Sequence, residues 1–342
     1  MANDLPAKAL QVTLREPNVV ELDEVDVRPP GPGEILVRGL ASTISTGTEL
    51  TLISGQFPEG GAWDRYARYP MALGYSLCGR VEALGDGVDN VSVGDVVVGF
   101  WPHAQYVTVP ASRVLQRVPE GLDPKVASTF ALGLIAMNGI RRARLEFGES
   151  VVVYGLGVLG QLCVAMARLS GCRPVIGVDL YDHRRQIAQR LGAHIALDGK
   201  EDVPERVKQA TGGRGADVLF EVTGNPDIIE QEFRVLRRFG RAVLLSSPRG
   251  PSKFDFHDFC NSPSITIIGA HNGSTPQCET VFSQWTWPRN CELYFELAAE
   301  GEIPVDQMIT HVFPAAEAPE VYRRLVEDRG WAGFVVLDWG MD

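Results

Sequence analysis

The pattern of apolar and polar positions divides the chain into two kinds of segment. Up to about residue 120, short runs rich in β-branched residues, such as ALQVTL and EILVRGLAST, are separated by turns that contain Gly and Pro. From Ser150 onward, apolar runs such as SVVVYG alternate with segments of helical spacing such as VLGQLCVAMARLSG. This pattern predicts an α/β protein in which a β-rich region precedes a doubly wound parallel sheet.

Two later segments complete the prediction of elements. PDIIEQEFRVLRRFG has apolar positions at helical spacing and is predicted as a helix between two strands of the parallel sheet. After about Ala270 the chain becomes irregular, and it then gives the predicted helices NCELYFELAAEG and AAEAPEVYRRLVED and a last strand, GFVVLDW. This tail is a candidate to complete the first, β-rich region.

A glycine motif lies between a predicted strand and a predicted helix. Gly155 permits a tight turn, Gly157 lets the backbone approach a pyrophosphate, and Gly160 lets the helix pack on the strand. Val158 and Leu159 open the helix, whose free N–H groups attract phosphate. The motif therefore predicts a dinucleotide site.

The acid that follows the next strand bears on the choice of dinucleotide. Asp179 can accept hydrogen bonds from both ribose hydroxyls and would repel a 2′-phosphate, which favours NAD(H) over NADP(H). Arg184 and Arg185 follow closely and could instead attract that phosphate. Four residues at the ends of later strands are predicted to face the adenosine and nicotinamide parts of the cofactor: Thr223, Gly224, Ser246 and Ser247. His271 is predicted to lie by the nicotinamide or, alternatively, to meet only a neighbouring subunit.

Composition narrows the function classes. The chain has 342 residues, 45% of them hydrophobic, which suffices for a large core and favours two domains. The net charge of −11 and the lack of a basic run argue against nucleic acid or a membrane surface as partner. We found neither a secretory signal nor an apolar stretch of membrane-spanning length, so a cytoplasmic protein is expected. The six cysteines form no C-x-x-C pair and are expected to be reduced.

The order of these parts resembles the medium-chain dehydrogenase/reductase superfamily, in its sorbitol/threonine dehydrogenase-like branch. PPGPGEILVRGLAST, HAQYVTVP, VVVYGLGVLGQLCVAMAR and ITHVFPAAEAPEVYRRL look like family blocks in the family order. The resemblance implies a GroES-like catalytic domain built from 1–133 and 271–342 around a Rossmann domain at 134–270. It also implies hydride transfer between an alcohol and a carbonyl, a small-molecule substrate, and a homodimer or homotetramer.

The metal ligands of the zinc-dependent members have no counterpart here. Ser45 stands where those members have a cysteine ligand, and Tyr75, within GYS, stands where they have a histidine. TFALGLIAMNG offers no third ligand, and the structural zinc lobe is missing between GDVVVGF and HAQYV. Hydroxyl and apolar side chains do not make a zinc site of ordinary affinity, so we expect no zinc. ISTGTEL and LGYSLCGRV are also locally similar to the zinc-lacking bacteriochlorophyllide dehydrogenase group.

Without a metal, the substrate oxygen needs another proton donor or acceptor. The family order places five candidates near the nicotinamide, each with a simpler alternative. Tyr75 is a catalytic phenol or a filler of the vacated metal position, and His103 is a general acid/base or a packing residue. Ser45 and Thr48 belong to a proton relay or bond to the backbone of a turn. Glu49 orients or deprotonates a neighbouring group, or is a solvated or structurally paired carboxylate.

Three aromatic residues are candidates for substrate binding. Trp101 stands beside His103 as a possible apolar wall. Phe57 and Trp63 lie in GQFPEGGAWDRYARYP, which is interpreted as a substrate lid or, alternatively, as a surface loop with buried aromatics.

The sequence thus predicts a zinc-independent NAD(H)-dependent alcohol dehydrogenase or ketoreductase that acts on a small hydroxylated metabolite. Three alternatives stay open: an enoyl reductase, a redox-neutral epimerase that retains NAD, and a non-catalytic NAD(H)-binding protein.

Overall fold

The computed structural model describes residues 5–281 and 283–340, which form two compact units. The first unit contains the residues up to Ala131, Trp287–Ala299 and the residues from Val305 onward. The second contains Leu132–Thr286 and Glu300–Pro304. The predicted return segment, 271–342, therefore starts too early, because residues 271–286 group with the second unit and the return begins at Trp287.

The first unit is rich in β-structure. Strand β1 pairs with β2 and β4 in a small antiparallel sheet, and a larger sheet has the order β15-β16-β3-β5-β6-β8, with β7 also paired to β3. The last strand, β16, pairs antiparallel with β3, so both ends of the chain build this sheet. The strands of this unit are β1 Lys8–Glu16, β2 Val19–Asp26, β3 Glu34–Thr43, β4 Met71–Ala72, β5 Leu77–Leu84, β6 Val96–Gly99, β7 Tyr106–Pro110, β8 Gln116–Arg117, β15 Ile309–Pro314 and β16 Phe334–Asp338.

Short helices close the core of the first unit. Tyr322 and Leu325 of the amphipathic C-terminal helix are buried together with Ile44 and Leu50. Each of these elements has an apolar face, and burying these faces against one another is favourable. The elements therefore pack together although the second unit separates them along the chain. The helices are α1 Thr48–Ser54, α2 Ala62–Tyr66, α3 Pro124–Ala127, α9 Trp287–Ala299, α10 Val305–Met308 and α11 Ala318–Glu327.

The second unit is a six-stranded parallel sheet of order β11-β10-β9-β12-β13-β14. This is a doubly wound order: the chain adds β10 and β11 on one side of β9, and then β12, β13 and β14 on its other side. The carboxyl ends of β9 and β12 therefore lie side by side. The four residues of β9 are all buried, as expected for a strand covered on both faces. The strands are β9 Val151–Tyr154, β10 Val175–Asp179, β11 Ile195–Asp198, β12 Ala216–Glu221, β13 Leu236–Leu244 and β14 Thr266–Gly269.

In the second unit the helix predicted after the glycine motif is present as α5, a helix that was not predicted lies at α7, and one predicted helix is wrong. The segment 226–240 is not one helix: α8 covers only Ile229–Glu232, a 3-10 turn follows at Phe233–Val235, and β13 starts at Leu236. The main helices are α4 Phe130–Ala143, which starts at the junction of the two units, α5 Val158–Leu169, α6 Asp182–Arg190, α7 Val203–Ala210 and α8. The predicted α/β class is confirmed. Within the described ranges, we found no helix of the length and apolarity that crossing a membrane requires.

Candidate active site

A pair of hydroxyl groups lies in the first unit at the positions predicted to replace the metal. Ser45 follows the end of β3, and Tyr75 lies in the turn between β4 and β5. The Tyr75 hydroxyl donates a hydrogen bond to Ser45 Oγ over 2.7 Å. Thr48 Oγ1, in the first turn of α1, lies 3.5 Å from the same phenol oxygen. Ser45 is buried, whereas Tyr75 and Thr48 are only partly buried.

A buried carboxylate holds Ser45 in place. Glu49 Oε1 accepts the Ser45 backbone N–H over 2.8 Å, and the Glu49 N–H donates to the Ser45 carbonyl over 2.9 Å. Its other oxygen accepts the Tyr322 hydroxyl and lies 3.1 Å from His103 Nε2. Glu49 is 1% exposed, so these donors replace the water that a carboxylate requires. Glu49 is therefore structurally paired and not solvated, and through the Ser45 N–H it also orients a neighbour.

The environment of Tyr75 decides which proton transfer it can perform. Burial is the main cause that raises the pKa of its phenol to about 12; the hydrogen bonds with Ser45 and Thr48 lower this pKa and the charge of Glu49 raises it, both by smaller amounts. A phenol with this pKa is protonated at neutral pH. It can therefore donate a proton to a developing alkoxide, whereas its anion is scarce as a base.

Two residues predicted near the substrate are core residues in the structure. His103 is 0% exposed and its ring packs over Gly74, where a Cβ would lie 2.3 Å from His103 Cδ2. Its Nε2 contacts Glu49, and its Nδ1 is buried without a hydrogen-bond partner among the described residues. Trp101 is 4% exposed and belongs to the apolar cluster of Ile35 and Leu77. Neither residue lines an accessible surface here, because each fills space inside the β-rich unit.

The predicted lid is in part a packing segment. Phe57 and Trp63 are partly buried against the apolar cluster of Leu50 and Tyr322, so the alternative of a surface loop with buried aromatics describes their positions. Tyr66 of the same segment is 53% exposed, and burial together with the charge of Glu49 raises the pKa of its phenol. Tyr66 is therefore an additional exposed aromatic side chain on the segment proposed as a lid.

Sequence reasoning missed Tyr322. Its hydroxyl reaches Glu49 across 273 residues of chain, and α11 presents it on an ordinary amphipathic face. No local motif distinguishes a tyrosine that hydrogen-bonds in the core from one that only packs there. Only the resemblance of ITHVFPAAEAPEVYRRL to a family block marked this region as part of the catalytic domain.

The residues at the vacated metal position do not fit a zinc ion. Ser45 and Tyr75 present neutral hydroxyl groups, and Glu49 and His103 are hydrogen-bonded to each other. Zinc in proteins is held by thiolate, imidazole and carboxylate groups that converge on one point. In residues 5–281 and 283–340, no three His, Cys, Asp or Glu side chains form a group that could hold a metal ion.

The glycine turn of the second unit has the geometry of a phosphate cradle. Gly155 has a φ of +87°, which other residues rarely adopt, and a Cβ on Gly160 would lie 1.8 Å from the Gly155 carbonyl oxygen. A Cβ on Gly157 would meet nothing within 4 Å. Gly157 therefore borders open space at the N-terminus of α5, where Val158 and Leu159 begin the helix and its dipole favours an anion.

Asp179 lies at the carboxyl end of β10 beside this turn. Its carboxylate accepts the Leu156 N–H over 2.7 Å and the Tyr181 N–H over 2.9 Å, and it lies 3.8 Å from the Arg184 guanidinium. Arg185 is paired with Asp182 and Asp198. Both arginines are thus close to carboxylates, which reduces their attraction for an additional phosphate.

The other predicted cofactor residues lie in turns at the carboxyl ends of β12, β13 and β14. Thr223 and Gly224 follow β12, and Ser246 and Ser247 follow β13. His271 follows β14, where its backbone carbonyl accepts a hydrogen bond from the Asn138 amide over 3.1 Å. Asn138 also donates to the Ala270 carbonyl over 3.0 Å and to Ser274 Oγ over 3.2 Å. One buried amide therefore fixes the turn that carries His271.

Family models match both units. The model of the alcohol dehydrogenase GroES-like domain matches residues 31–120, and the model described as zinc-binding dehydrogenase matches residues 158–287. The second match covers much of the dinucleotide-binding unit, and it contains none of Ser45, Tyr75 and His103. The match therefore does not include the positions that the resemblance relates to the metal ligands.

Individual proteins are similar over nearly the whole chain. D-guloside 3-dehydrogenase of Escherichia coli (strain K12) is 29% identical over 332 residues, which cover 91% of this chain and 94% of that protein. A zinc-binding dehydrogenase of Sinorhizobium meliloti 1021 bound to NADP superposes with a TM-score of 0.81 at 21% identity, covering 97% and 100% of the two chains. An alcohol dehydrogenase of E. coli CFT073 complexed with NADH superposes with a TM-score of 0.80 at 19% identity, again covering 97% and 100%.

Proposed function

The chain belongs to the medium-chain dehydrogenase/reductase superfamily, and from that premise we propose that it is a zinc-independent, NAD(H)-dependent alcohol dehydrogenase or ketoreductase. Its relatives support the broader class, an oxidoreductase acting on CH–OH groups. The observation that carries the finer proposal is the hydrogen-bonded pair of Tyr75 and Ser45, which occupies the positions of two zinc ligands in metal-dependent members.

The chain's own residues supply the proton in this proposal. A bound nicotinamide would give or accept hydride at C4. In the direction of reduction, Tyr75 turns its O–H from Ser45 Oγ to the substrate oxygen and transfers the proton as the alkoxide develops. Ser45 and Thr48 then donate hydrogen bonds to the phenolate oxygen, which takes up one proton from water at the end of turnover. Glu49 keeps Ser45 fixed throughout, because it holds the Ser45 N–H.

NAD(H) is the proposed cofactor, with NADP(H) the less favoured one. A carboxylate at Asp179 repels a 2′-phosphate, and the nearby Arg184 and Arg185 already lie beside carboxylates. Solved structures of similar fold contain NADP in one case and NADH in another, so the preference rests on Asp179. The expected homodimer or homotetramer and the cytoplasmic location belong to the same proposal.

The proposed substrate is a small secondary alcohol of carbohydrate type, or the matching ketone. Two observations support it: the relative that acts on a D-guloside, and the hydroxyl-rich surroundings of Tyr75. Hydroxyl groups and an exposed aromatic ring such as that of Tyr66 suit a polyhydroxylated ligand, whose hydroxyls require partners and whose C–H faces stack on aromatic rings.

The proposal is tested by following the hydride. The protein is incubated with NADH deuterated at C4 and a panel of hydroxyketones and keto-sugars, with a simple enone included. We expect deuterium on the carbinol carbon of at least one product and no saturation of the enone. A saturated ketone from the enone would identify an enoyl reductase instead. Binding of NADH without any turnover would support a non-catalytic protein, and cofactor that stays bound and becomes neither net oxidised nor net reduced would support an epimerase.

A further inference from the structure

Glu221, a buried carboxylate, joins two turns of the second unit. It ends β12 and is 0% exposed. One of its oxygens accepts the Thr223 N–H over 2.7 Å, the Thr223 hydroxyl over 2.7 Å and the Gly224 N–H over 2.9 Å. The other oxygen accepts the hydroxyl of Ser246, at the end of the neighbouring strand β13.

These contacts fix the segments on which the proposed cofactor site depends. The Glu221 carbonyl also accepts the Leu245 N–H over 3.2 Å and the Ser246 N–H over 3.1 Å. The Thr223 turn lies directly against the glycine turn, since a Cβ on Gly155 would lie 3.1 Å from both the Thr223 N atom and its Cγ2. A change in the Thr223 turn would therefore reach the phosphate cradle.

A second buried carboxyl group lies close enough to the first for their charges to interact. Glu232, the last residue of α8, is 0% exposed, and neither of its oxygens has a hydrogen-bond partner in the described part of the chain. Two buried carboxylates close to each other cannot both be ionised. Burial, and next to it the charge of Glu221, raise the pKa of Glu232 to about 10, so Glu232 carries a proton at neutral pH.

We propose that the ionised Glu221 is a positioning residue of the nucleotide site, which holds the turns after β12 and β13 in the shape that receives the dinucleotide. This inference rests on the proposed function for the identity of the ligand. Glu221 is buried and acts through Thr223, Gly224 and Ser246. Its negative charge matters because hydrogen bonds to a carboxylate are roughly twice as strong as those to a neutral amide oxygen.

The two glutamates provide a matched pair of variants. Glu221→Gln keeps size and removes the charge, and we expect it to weaken NADH binding about tenfold, measured by fluorescence titration, since several charge-assisted bonds are lost at once. Glu232→Gln makes the same chemical change on a group that is already neutral, and NADH affinity should stay within about twofold of the wild type.

Hydrogen exchange distinguishes a local loosening of the turns from a loss of overall stability, because a loss of overall stability accelerates exchange throughout the sheet. In Glu221→Gln without nucleotide, exchange of the backbone amides of residues 222–225 should accelerate selectively, while β9 and β10 keep their protection. If Glu221→Gln does not fold, Ser246→Ala removes one contact only and should weaken NADH binding by about two- to fivefold with faster exchange in the same segment.

The outcomes separate this inference from the proposed function. If NADH affinity and amide exchange are both unchanged in Glu221→Gln, the inference is overturned. If Glu221→Gln does not fold, the same result in Ser246→Ala overturns it. An equal loss of affinity in Glu221→Gln and Glu232→Gln would overturn it as well. If the wild type binds neither NADH nor NADPH, the cofactor part of the proposed function fails, and the exchange of residues 222–225 still decides whether Glu221 holds the turns.

Discussion

Tyr75 is the side chain on which the proposed chemistry depends. Tyr75 and Thr48 are the partly buried members of the cluster formed by Ser45, Thr48, Glu49, Tyr75 and His103, and of these two hydroxyls the phenol is the more acidic. Because its phenol has a pKa raised to about 12, the group suits proton donation to an alkoxide better than proton removal from an alcohol.

Replacing Tyr75 by Phe should therefore lower kcat for ketone reduction about 100-fold or more, with little change in the Kd for NADH, since general acid catalysis by one group contributes roughly that much. The control is Tyr294→Phe, which removes another buried phenol, bonded to Thr129 Oγ1 over 2.7 Å in the same unit. Normal reduction by Tyr75→Phe would exclude Tyr75 as the proton donor.

The pH dependence follows from the same pKa. Proton donation needs the neutral phenol, so the rate of reduction should show no loss from deprotonation of Tyr75 between pH 6 and pH 9. Alcohol oxidation needs the anion, so log kcat in that direction should rise with pH without reaching a plateau before about pH 10. A plateau near pH 7 in pH–rate profiles would indicate a different base.

At the residue scale the sequence predicted which side chains lie together better than how deeply each is buried. Ser45, Tyr75, Glu49 and His103 come together, as the family blocks implied. What could not be read from the sequence is burial: His103 and Trp101 are core residues because Gly74 and Gly99 leave room for their rings. Sequence spacing alone does not show on which side of a loop such a ring packs.

The strand–turn–helix element of β9 and α5 was predictable because its signals are local. The glycines, the buried strand and the helical spacing all lie within 20 residues and agree with one another.

The segment 226–240 was not predictable in the same way. Its apolar positions fit one helix face, yet Phe239 is 65% exposed with a φ of +60°, and the register of β13 against β12 shifts between Leu236 and Arg241. Pairing with β12 outweighs local helical propensity there.

The glycine turn gives a prediction at the scale of this element. Gly157→Ala should fold with nearly unchanged Tm, because its Cβ meets nothing within 4 Å, but should weaken NADH binding at least tenfold if the pyrophosphate approaches there. Gly160→Ala should instead lower the Tm, because its Cβ would overlap the Gly155 carbonyl oxygen. Thermal melts and NADH titrations of both variants check this. Full NADH affinity in a folded Gly157→Ala protein would place the phosphates elsewhere.

For the whole molecule, the buried Glu232 couples stability to pH. Burial, and next to it the charge of Glu221, raise the pKa of Glu232 to about 10 in the folded state, against an ordinary value of 4.5. A raised carboxyl pKa contributes stability that is fully present below about pH 4.5 and is lost as pH rises toward 10. Between pH 5 and pH 8 the loss amounts to at most roughly 4 kcal/mol.

Glu232→Gln removes this titration. The Tm of the variant should therefore rise relative to that of the wild type as the pH is raised from 5 to 8. This holds even if the amide lowers the Tm by an amount that does not depend on pH. Differential scanning calorimetry at both pH values measures it. A Tm difference that does not change with pH would show that Glu232 is not the proton-bearing group.

The central claim is that hydroxyl groups take the place of zinc in this enzyme, and zinc content measured on catalytically active protein tests it most directly. The protein would be treated with a strong chelator, assayed for NADH-dependent ketone reduction, and analysed for metal in the same sample. The account predicts full activity with far less than one zinc per chain, because the neutral hydroxyl groups of Ser45 and Tyr75 are poor zinc ligands. One zinc per chain, together with activity that the chelator removes and zinc restores, would contradict it.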